Sequence, residues 1–345
     1  MRFLIFFAVV SAVLPSPPAF AQQRTPITIA SVPSIPSAST YLALDKGYFR
    51  DAGLDVTIER IDSLSKAVAM VATGRIQAAQ GGISAGFYNA VTQGLPIIMA
   101  LEGGSTPLYH WVLVRNELKD AIKVPADLKG RRVALSAPGS NAMYEMGMVL
   151  ASAGLRLKDV DVRYIAFAQM AVALANNAVD AALMVAPFSD VAIEQKIGHP
   201  WLDPEPLITV LPMTNLAYIA NVDWIMEHGD VAQRLFVALA RASRDYCQAY
   251  HRGPNRAAVI DSLVNNKIVT DRALLDRMQW QARNPNGTFS VASLMSMQSF
   301  FKQEGLIEKE VPAEKLADAS FAEAAARELG PFELINKTST LKGCR

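Results

Sequence analysis

The chain has 345 residues, of which 51% are apolar and 19% are charged, a composition typical of folded globular proteins and not of disordered ones. Its formal net charge is +1 and no basic stripe is present, so we expect no nucleic-acid partner. Two cysteines and four scattered histidines lack the spacing of metal ligands, and we expect neither a metal nor a cofactor.

The first residues have the pattern of a secretory signal peptide. Arg2 precedes an apolar run at residues 3–14, which is too short to cross a bilayer because a spanning helix needs about twenty residues. Prolines follow, and Ala19-Phe20-Ala21 matches a small-x-small cleavage site. We predict a signal peptide over residues 1–21, cleavage after Ala21, and a soluble product secreted across the inner membrane into the periplasm. An uncleaved membrane anchor is the alternative.

The next segment predicts a βαβ unit. Residues 27–31 have the pattern of a strand, residues 41–49 form an amphipathic helix, and residues 54–58 alternate like a half-buried strand. Gly53 is placed to end the helix, since glycine adopts a left-handed conformation at no steric cost. Strand, helix and strand within about thirty residues imply a parallel sheet.

An internal repeat indicates two lobes of similar plan. Residues 72–79 and 175–182 each end an alanine-rich helix at a turn residue, Gly74 or Asn177, and then begin an apolar strand. The predicted helices and strands of this repeat are residues 66–71, 76–79, 85–93, 132–136, 169–174 and 179–185.

The joins between the lobes follow from the same pattern. A strand at residues 109–115 crosses to the second lobe, and the chain returns near residues 212–215 into a strand at 216–220. Beyond it the predicted helices are residues 231–250, 256–265, 271–283, 291–304 and 319–328. We therefore assign residues 22–107 and 213–345 to the first lobe with its C-terminal helices, and residues 108–212 to the second.

Two α/β lobes joined by two crossings enclose a cleft, and ligands of open α/β sheets bind beyond the carboxyl ends of the strands. Ser37, Ser84 and Ser140 each lie at such an end, where a helix begins. Free N–H groups make a helix start a site for an anion or a polar carbonyl. The simpler alternative is that these serines only cap their helices.

Three segments resemble one family. Residues 43–49 read Ala-Leu-Asp-Lys-Gly-Tyr-Phe and are followed by Gly-Leu-Asp-Val at 53–56. Residues 127–135 with Pro-Gly-Ser at 138–140, and Val-Asp-Ala-Ala through Pro-Phe at 179–188, complete the series. This order is similar to that of ABC-transporter substrate-binding proteins of the nitrate/sulfonate/taurine and thiamine-pyrimidine-precursor type.

The resemblance implies a two-lobed type II periplasmic binding-protein fold, in which two βαβ-built lobes close on a ligand and C-terminal helices follow. It also implies an ABC-transporter permease as partner and a small organic ligand (an organic acid, a sulfonate or a flat heterocycle); we expect a monomer. By analogy, the ligand-binding residues lie in the loops after four strands: Ser34, Ile35, Ser37, Gly82, Ile83, Ser84, Pro138, Gly139, Ser140, Asn141, Ala186 and Phe188.

An exported sensor or adaptor subunit with the same fold and pocket stays open beside this one, and so do two enzyme hypotheses. Residues 82–86 match the G-x-S-x-G motif between a strand and a helix, so Ser84 is a candidate nucleophile of a serine esterase. No oxyanion-hole motif of the His-Gly-Gly type precedes it. Eukaryotic members of the resembled family make thiamine pyrimidine with a histidine and a cysteine-rich motif, and this chain has no cysteine cluster.

The two cysteines, Cys247 and Cys344, leave a further question. In an oxidising compartment they are able to form a disulfide between a helix and the C-terminal tail. Two unpaired thiols are the alternative, since the sequence does not show whether the two side chains meet.

Overall fold

A computed structural model describes residues 24–61 and 63–345 of the chain. The predicted signal peptide at residues 1–21 lies outside the described residues. Two five-stranded sheets dominate the fold, with strand orders β2-β1-β3-β10-β4 and β7-β6-β8-β5-β9. Within the described part of the chain, none of the helices combines the length and apolar character needed to cross a membrane.

The first lobe is the first sheet with the helices that cover it. Its elements in chain order are β1 (Thr25–Ser31), α1 (Ala38–Asp45), α2 (Tyr48–Asp51), β2 (Leu54–Arg60), α3 (Leu64–Ala72), β3 (Ala78–Gly82), α4 (Ala85–Thr92), β4 (Ile97–Ser105) and the later strand β10 (Thr214–Asn221). β1 runs parallel to β2 and β3, whereas β10 runs antiparallel to β3 and β4. The predicted βαβ unit is confirmed.

The second lobe repeats this plan. Its elements are β5 (Trp111–Arg115), β6 (Arg132–Leu135), α5 (Asn141–Ala151), β7 (Asp161–Tyr164), α6 (Phe167–Ala175), β8 (Ala181–Met184), α7 (Phe188–Glu194) and β9 (Gly198–Leu202). β6 is parallel to β7 and β8, while β5 is antiparallel to β8 and β9. The antiparallel strand thus holds the fourth place in both sheets, which explains the internal repeat seen in the sequence.

The C-terminal third of the chain is helical. Its elements are α8 (Val222–Glu227), α9 (Gly229–Tyr250), α10 (Arg256–Asn265), α11 (Arg272–Arg277), α12 (Val291–Gln303), α13 (Ala313–Leu316) and α14 (Ser320–Leu329). α9 buries one face against α1 and α14, including Leu235, Phe236 and Leu239. Its 22 residues alternate apolar and charged positions at helical spacing, which is the pattern expected of a long surface helix.

Helix α12 packs against both lobes and so links them through side-chain contacts. On the first-lobe side, the Tyr88 hydroxyl donates to the carbonyl of Leu294 at 2.9 Å. On the second-lobe side, the Tyr144 ring packs edge-on against Phe300 with centroids 5.4 Å apart, and its hydroxyl lies 2.9 Å from Ser296 Oγ. One continuous apolar core therefore extends from the first sheet through α12 to the second.

Two predicted helices need correction. The helix expected over residues 41–49 is broken at Gly47, whose φ of 74° separates α1 from α2. The helix expected over residues 271–283 is wrong beyond Arg277, because Ala282 pairs with another segment. The Ser105 N–H donates to the Ala282 carbonyl, and the Ala282 N–H donates to the Pro107 carbonyl, both at 2.9 Å. Tertiary pairing overrides helix propensity there.

The predicted strand over residues 76–79 also shifts. β3 begins two residues later, at Ala78, and continues through Gly81 and Gly82, because its register is set by pairing with β1 and β10. The strand predicted over residues 179–185 is confirmed and is shorter.

Candidate functional site: an interlobe cleft

The two lobes contact each other directly at the loops that follow β3 and β6. The Ala85 N–H donates across the cleft to the carbonyl of Gly139 at 2.8 Å. A Cβ added at Gly139 would lie 2.8 Å from the Ala85 Cβ, and one added at Gly82 would lie 2.9 Å from Asn141 Oδ1. The absence of side chains at these two glycines lets the backbones approach so closely. This arrangement brings together two of the four predicted loops, 82–84 and 138–141.

The serines at the helix starts do not cap their helices with their side chains. Ser34, Ser37, Ser84 and Ser140 all lack such a bond. The Ser37 hydroxyl instead donates to Gln80 Oε1 at 2.9 Å, and Ser84 Oγ accepts a hydrogen bond from Ser65 Oγ at 3.0 Å. The capping explanation, the simpler alternative for these residues, therefore does not describe this structure.

Ser140 differs from the other three serines. Its hydroxyl is buried and has no hydrogen-bond partner among the described residues. Gly139 and Asn141, on either side of it, both touch the first lobe. A buried hydroxyl without a partner is unfavourable by roughly 1–3 kcal/mol, so its position at the interlobe contact suits a polar group supplied from outside the chain.

The remaining predicted residues are distributed around this contact. Ile35 and Ile83 are buried, so they support the loops from within, whereas Pro138 is exposed. Ala186 belongs to the second lobe but packs against the apolar core of the first. Phe188 is 37% exposed and stacks on Phe167, with ring centroids 6.4 Å apart. This aromatic pair lies at the starts of α6 and α7, beyond the carboxyl ends of β7 and β8.

Two amide side chains near the loops, Gln80 and Asn215, were not predicted from the sequence as site residues. Gln80 Nε2 and Asn215 Nδ2 are buried and lack partners among the described residues. Gln80 precedes Gly82 on β3, and the Asn215 carbonyl accepts a hydrogen bond from the Ile83 N–H at 2.9 Å. The signal was a polar side chain inside an otherwise apolar strand, in Ala-Ala-Gln-Gly-Gly and in Thr-Asn-Leu-Ala-Tyr.

A buried arginine lies behind the first loop. Arg283 is 1% exposed, donates to the Pro36 carbonyl at 2.8 Å, and packs over the Tyr246 ring at 3.7 Å. Two arginines of the second lobe, Arg115 and Arg163, are paired with Asp180 and Asp161. The nearest buried cation to the first loop therefore comes from the C-terminal segment.

Glu102 is a buried acid that interacts with the charge of Arg283. Burial raises the pKa of Glu102 to about 7, while hydrogen bonds from the Asn284 N–H and the Ser105 hydroxyl, at 2.6 and 2.8 Å, and the charge of Arg283 lower it. The carboxyl group is consequently protonated in a large share of molecules near neutral pH.

An ion pair joins the lobes away from the loops. Arg277 on α11 donates from Nε and Nη2 to the two carboxylate oxygens of Glu194 on α7, at 2.8 and 2.7 Å. Hydrogen bonding to Arg277 lowers the pKa of Glu194. The pair is bidentate but about half exposed.

Ser84 has no catalytic partner in this geometry. Among residues 24–61 and 63–345, no histidine is hydrogen-bonded to its hydroxyl; the His110 ring pairs with Glu145 at 2.7 Å, and the His251 ring contacts Ser339. A serine nucleophile requires such a base. In the same part of the chain no cluster of three or more His, Cys, Asp or Glu side chains is arranged to hold a metal ion.

Two solved structures with the same fold are named for the ligands that they bind. The alkanesulfonate-binding protein of Xanthomonas axonopodis pv. citri, solved with bound MOPS, superposes with a TM-score of 0.68 at 20% identity, over 87% of this chain and all (100%) of that one. The periplasmic nitrate-binding protein of Synechocystis PCC 6803 superposes with a TM-score of 0.71 at 16% identity, over 89% of each chain. The predicted type II periplasmic binding-protein fold is confirmed.

Sequence comparisons agree with the predicted resemblance. A Haemophilus influenzae protein named "Putative thiamine biosynthesis protein" is 25% identical over 322 residues, which cover 90% of this chain and 97% of that protein. Residues 35–250, more than half of the chain, match the family described as NMT1/THI5 like. With the two-lobed fold and the interlobe loops in place, this match shows that the chain belongs to the NMT1/THI5-like family.

Proposed function

We propose that this protein is an exported solute-binding protein that closes on a small organic molecule and delivers it to the permease of an ABC importer. The fold, the family and the contact between the two lobes support the proposal. In such proteins the ligand is held between lobes that close by a hinge movement. The proposal takes the lobes as residues 22–107 with 213–345, and residues 108–212, and takes the protein as a monomer.

The observation that carries the proposal is the buried, unpartnered hydroxyl of Ser140 at the interlobe contact. Gln80 and Asn215 add unpartnered amide donors on the first-lobe side. Donors without partners are rare in folded proteins unless water or a ligand completes them. Their distribution over both lobes is what a bridging ligand requires.

The donor set favours a ligand with hydrogen-bond acceptors: an organic acid, a sulfonate or a flat heterocycle. Hydroxyl and amide donors suit carboxylate or sulfonate oxygens and ring nitrogens. Arg283 behind the first loop supports an acceptor with negative charge. The exposed Phe167–Phe188 pair offers an apolar wall on the second lobe. Proteins of similar fold are named for alkanesulfonate and nitrate binding, and a relative is named for thiamine biosynthesis.

A ligand screen tests this proposal. The purified mature protein is heated with alkanesulfonates, aromatic acids, pyrimidines and nitrate, and compounds that raise the melting temperature are confirmed by native mass spectrometry. We expect one class to bind with a stoichiometry of one and to make the protein more compact in small-angle scattering. Failure of all classes to bind, with no compaction, would contradict the proposal.

The site of action is part of the same proposal. Export to the periplasm would remove residues 1–21 by cleavage after Ala21. N-terminal sequencing of the protein from the periplasmic fraction should begin at Gln22. A membrane-bound product that keeps Met1 would contradict export.

The esterase alternative has a direct test. A fluorophosphonate probe labels serines activated by a neighbouring base, and we expect no labelling of Ser84, whose hydroxyl is paired with Ser65. Labelling with a stoichiometry of one that Ser84→Ala abolishes would favour the esterase. A thiamine-pyrimidine synthase would require a reactive cysteine cluster, and both cysteines of this chain are buried.

A further inference from the structure

We propose that Cys247 and Cys344 form a disulfide bond that fastens the last segment of the chain, residues 332–345, to helix α9. We name this segment the C-terminal strap. The inference rests on the proposed export, because disulfides form and persist in oxidising compartments. It is independent of which ligand the cleft binds.

The strap is held on the end of the helix that carries Cys247. The Tyr250 hydroxyl donates to the Lys342 carbonyl at 2.6 Å, and His251 Nε2 lies 3.0 Å from the Gly343 carbonyl. Tyr250 is the last residue of α9 and His251 follows it, so both lie within one helical turn of Cys247. Fixing residues 342 and 343 there places the next residue, Cys344, beside Cys247.

Burial of the two cysteines points the same way. Cys247 is fully buried and Cys344 is 2% exposed, although Lys342 and Arg345 on either side of it are exposed. Both cysteines belong to the apolar core of the first lobe. A buried cysteine between exposed neighbours has its side chain directed into the core.

The local backbone turns the Cys344 side chain inward. Gly343 and Cys344 both have positive φ, of 76° and 55°. A positive φ is uncommon for residues other than glycine, asparagine and aspartate, so the surrounding structure must maintain it at a cysteine. In this structure the two thiols are not bonded to each other, and burial together with the nearby Cys344 raises the pKa of Cys247 well above its usual value.

The oxidation proceeds by thiol–disulfide exchange with a disulfide-bearing oxidant of the compartment. One cysteine thiolate attacks the oxidant's disulfide and forms a mixed disulfide, which releases one thiolate of the oxidant. The second cysteine thiolate attacks that mixed disulfide and releases the other. The chain loses two electrons and two protons, and the oxidant becomes a dithiol. Because a buried thiol with a raised pKa reacts slowly, we expect the exchange to precede docking of the strap.

The strap also touches the crossing between the lobes. A Cβ added at Gly343 would lie 2.7 Å from Pro107 Cδ and 3.4 Å from the Thr106 carbonyl oxygen. The Tyr250 hydroxyl, which holds the strap, lies 3.1 Å from the Tyr109 hydroxyl on the same crossing. Fastening the strap therefore also fixes one side of the segment about which the lobes would move.

Thiol trapping of the wild-type protein tests the bond. Full-length protein is expressed, collected from the periplasmic fraction, unfolded in denaturant and treated with iodoacetamide, with and without prior reduction. We expect no alkylation before reduction and alkylation of both cysteines after it, with a peptide linking Cys247 to Cys344 in the unreduced digest. Alkylation of both cysteines without reduction, in protein shown to be periplasmic, would overturn the inference.

Variants test what the bond does. Reduction of the wild-type protein should lower its melting temperature by about 5–10 °C, since closing a long loop constrains the unfolded chain. Cys344→Ala should melt at the temperature of the reduced protein and should not respond to reductant. These experiments use no ligand, so a result that contradicts the disulfide does not bear on the proposed binding function, and a failed ligand screen does not bear on the disulfide. A wild-type melting temperature that stays constant while the bond is reduced would overturn the fastening role.

Discussion

The Ala85 N–H and the Gly139 carbonyl, which belong to different lobes, form a 2.8 Å hydrogen bond across the cleft. Ala85 is the first residue of α4, so this bond occupies a helix N–H that has no partner inside the helix. The second lobe thus completes a helix start of the first. The lobes are in contact, and two of the four loops predicted from sequence, 82–84 and 138–141, lie at that contact.

The first prediction concerns Gly139, where a methyl group would disturb the contact. Its φ is 64° and an added Cβ would lie 2.8 Å from the Ala85 Cβ. We expect Gly139→Ala to weaken binding of the ligand found by the screen by about tenfold or more, since a closed state raised by about 1.4 kcal/mol loses a factor of ten. Isothermal titration calorimetry measures the change.

Gly154 provides the matched control for this variant. It also lies in the second lobe and has a φ of 70°, but an added Cβ there would have no neighbour within 4 Å. Gly154→Ala should lower the melting temperature through backbone strain and leave binding unchanged. Equal affinity in both variants would show that the loops need not touch for the ligand to bind.

The second prediction separates binding from stability at Ser140. Because its hydroxyl is buried without a partner and does not cap α5, Ser140→Ala should leave the melting temperature of the free protein unchanged or slightly raised. It should weaken ligand binding roughly three- to tenfold, the worth of about one hydrogen bond. Ser152→Ala, which removes a hydroxyl bonded to the Val149 carbonyl within the same lobe, should not change affinity. Unchanged affinity in Ser140→Ala would remove this serine from the site.

The local elements were predictable because their signals are local. The first half of β2 alternates between buried and exposed residues, and Gly53 does take a positive φ of 72° after α2. The repeat of helix, turn and strand predicted two sheets of the same plan. These patterns depend on residues within a few positions of each other, which is the range that periodicity and turn chemistry describe.

The contacts that shape the cleft were not predictable in the same way. Arg283 and Gln80 contact the loop 34–37 and Asn215 contacts the loop 82–84, from segments far apart in the chain that no spacing rule connects. The error at residues 278–283 has the same origin, because the backbone of Ala282 pairs with residues 105 and 107. Sequence patterns describe periodicity, whereas these contacts depend on tertiary packing.

The third prediction concerns the ion pair between Arg277 and Glu194, which joins the lobes at the surface. Arg277→Gln should weaken ligand binding by no more than about fivefold at low salt, because both side chains are about half exposed and solvent screens them. The effect should vanish in about 1 M salt, where the screening length falls to about 3 Å. Titrations of ligand at several salt concentrations measure it.

Arg272 gives the control for the ion pair. It lies on the same helix, α11, and pairs with Asp261 of α10, so its ion pair stays within the C-terminal helices. Arg272→Gln should bind the ligand with the affinity of the wild type at every salt concentration. The same salt-dependent loss in both variants would mean that α11 packing, and not the contact between lobes, is responsible.

The fourth prediction follows from the raised pKa of Glu102. Its pKa is about 7 in the folded protein against an ordinary value of 4.5. Between these values the unfolded chain gives up the proton and the folded protein keeps it. Unfolding therefore releases a proton, and this residue makes the protein less stable as the pH rises from about 4.5 to about 7. The loss amounts to at most roughly 3 kcal/mol, at 1.36 kcal/mol per pKa unit.

Replacing Glu102 with glutamine should remove this dependence on pH. The Thr214 hydroxyl donates to Glu102 Oε2 at 3.4 Å, and in the variant this hydroxyl can rotate to accept a hydrogen bond from the glutamine amide. The free energy of unfolding, measured in urea, falls in the wild type as the pH rises, and this contribution is absent from Glu102→Gln. We therefore expect the difference, variant minus wild type, to increase by about 1–3 kcal/mol between pH about 4.5 and pH about 7.5. The exposed Glu310 serves as control, and Glu310→Gln should follow the wild-type curve. Parallel curves for wild type and Glu102→Gln would show that the Glu102 carboxyl ionises alike in the folded and unfolded chains.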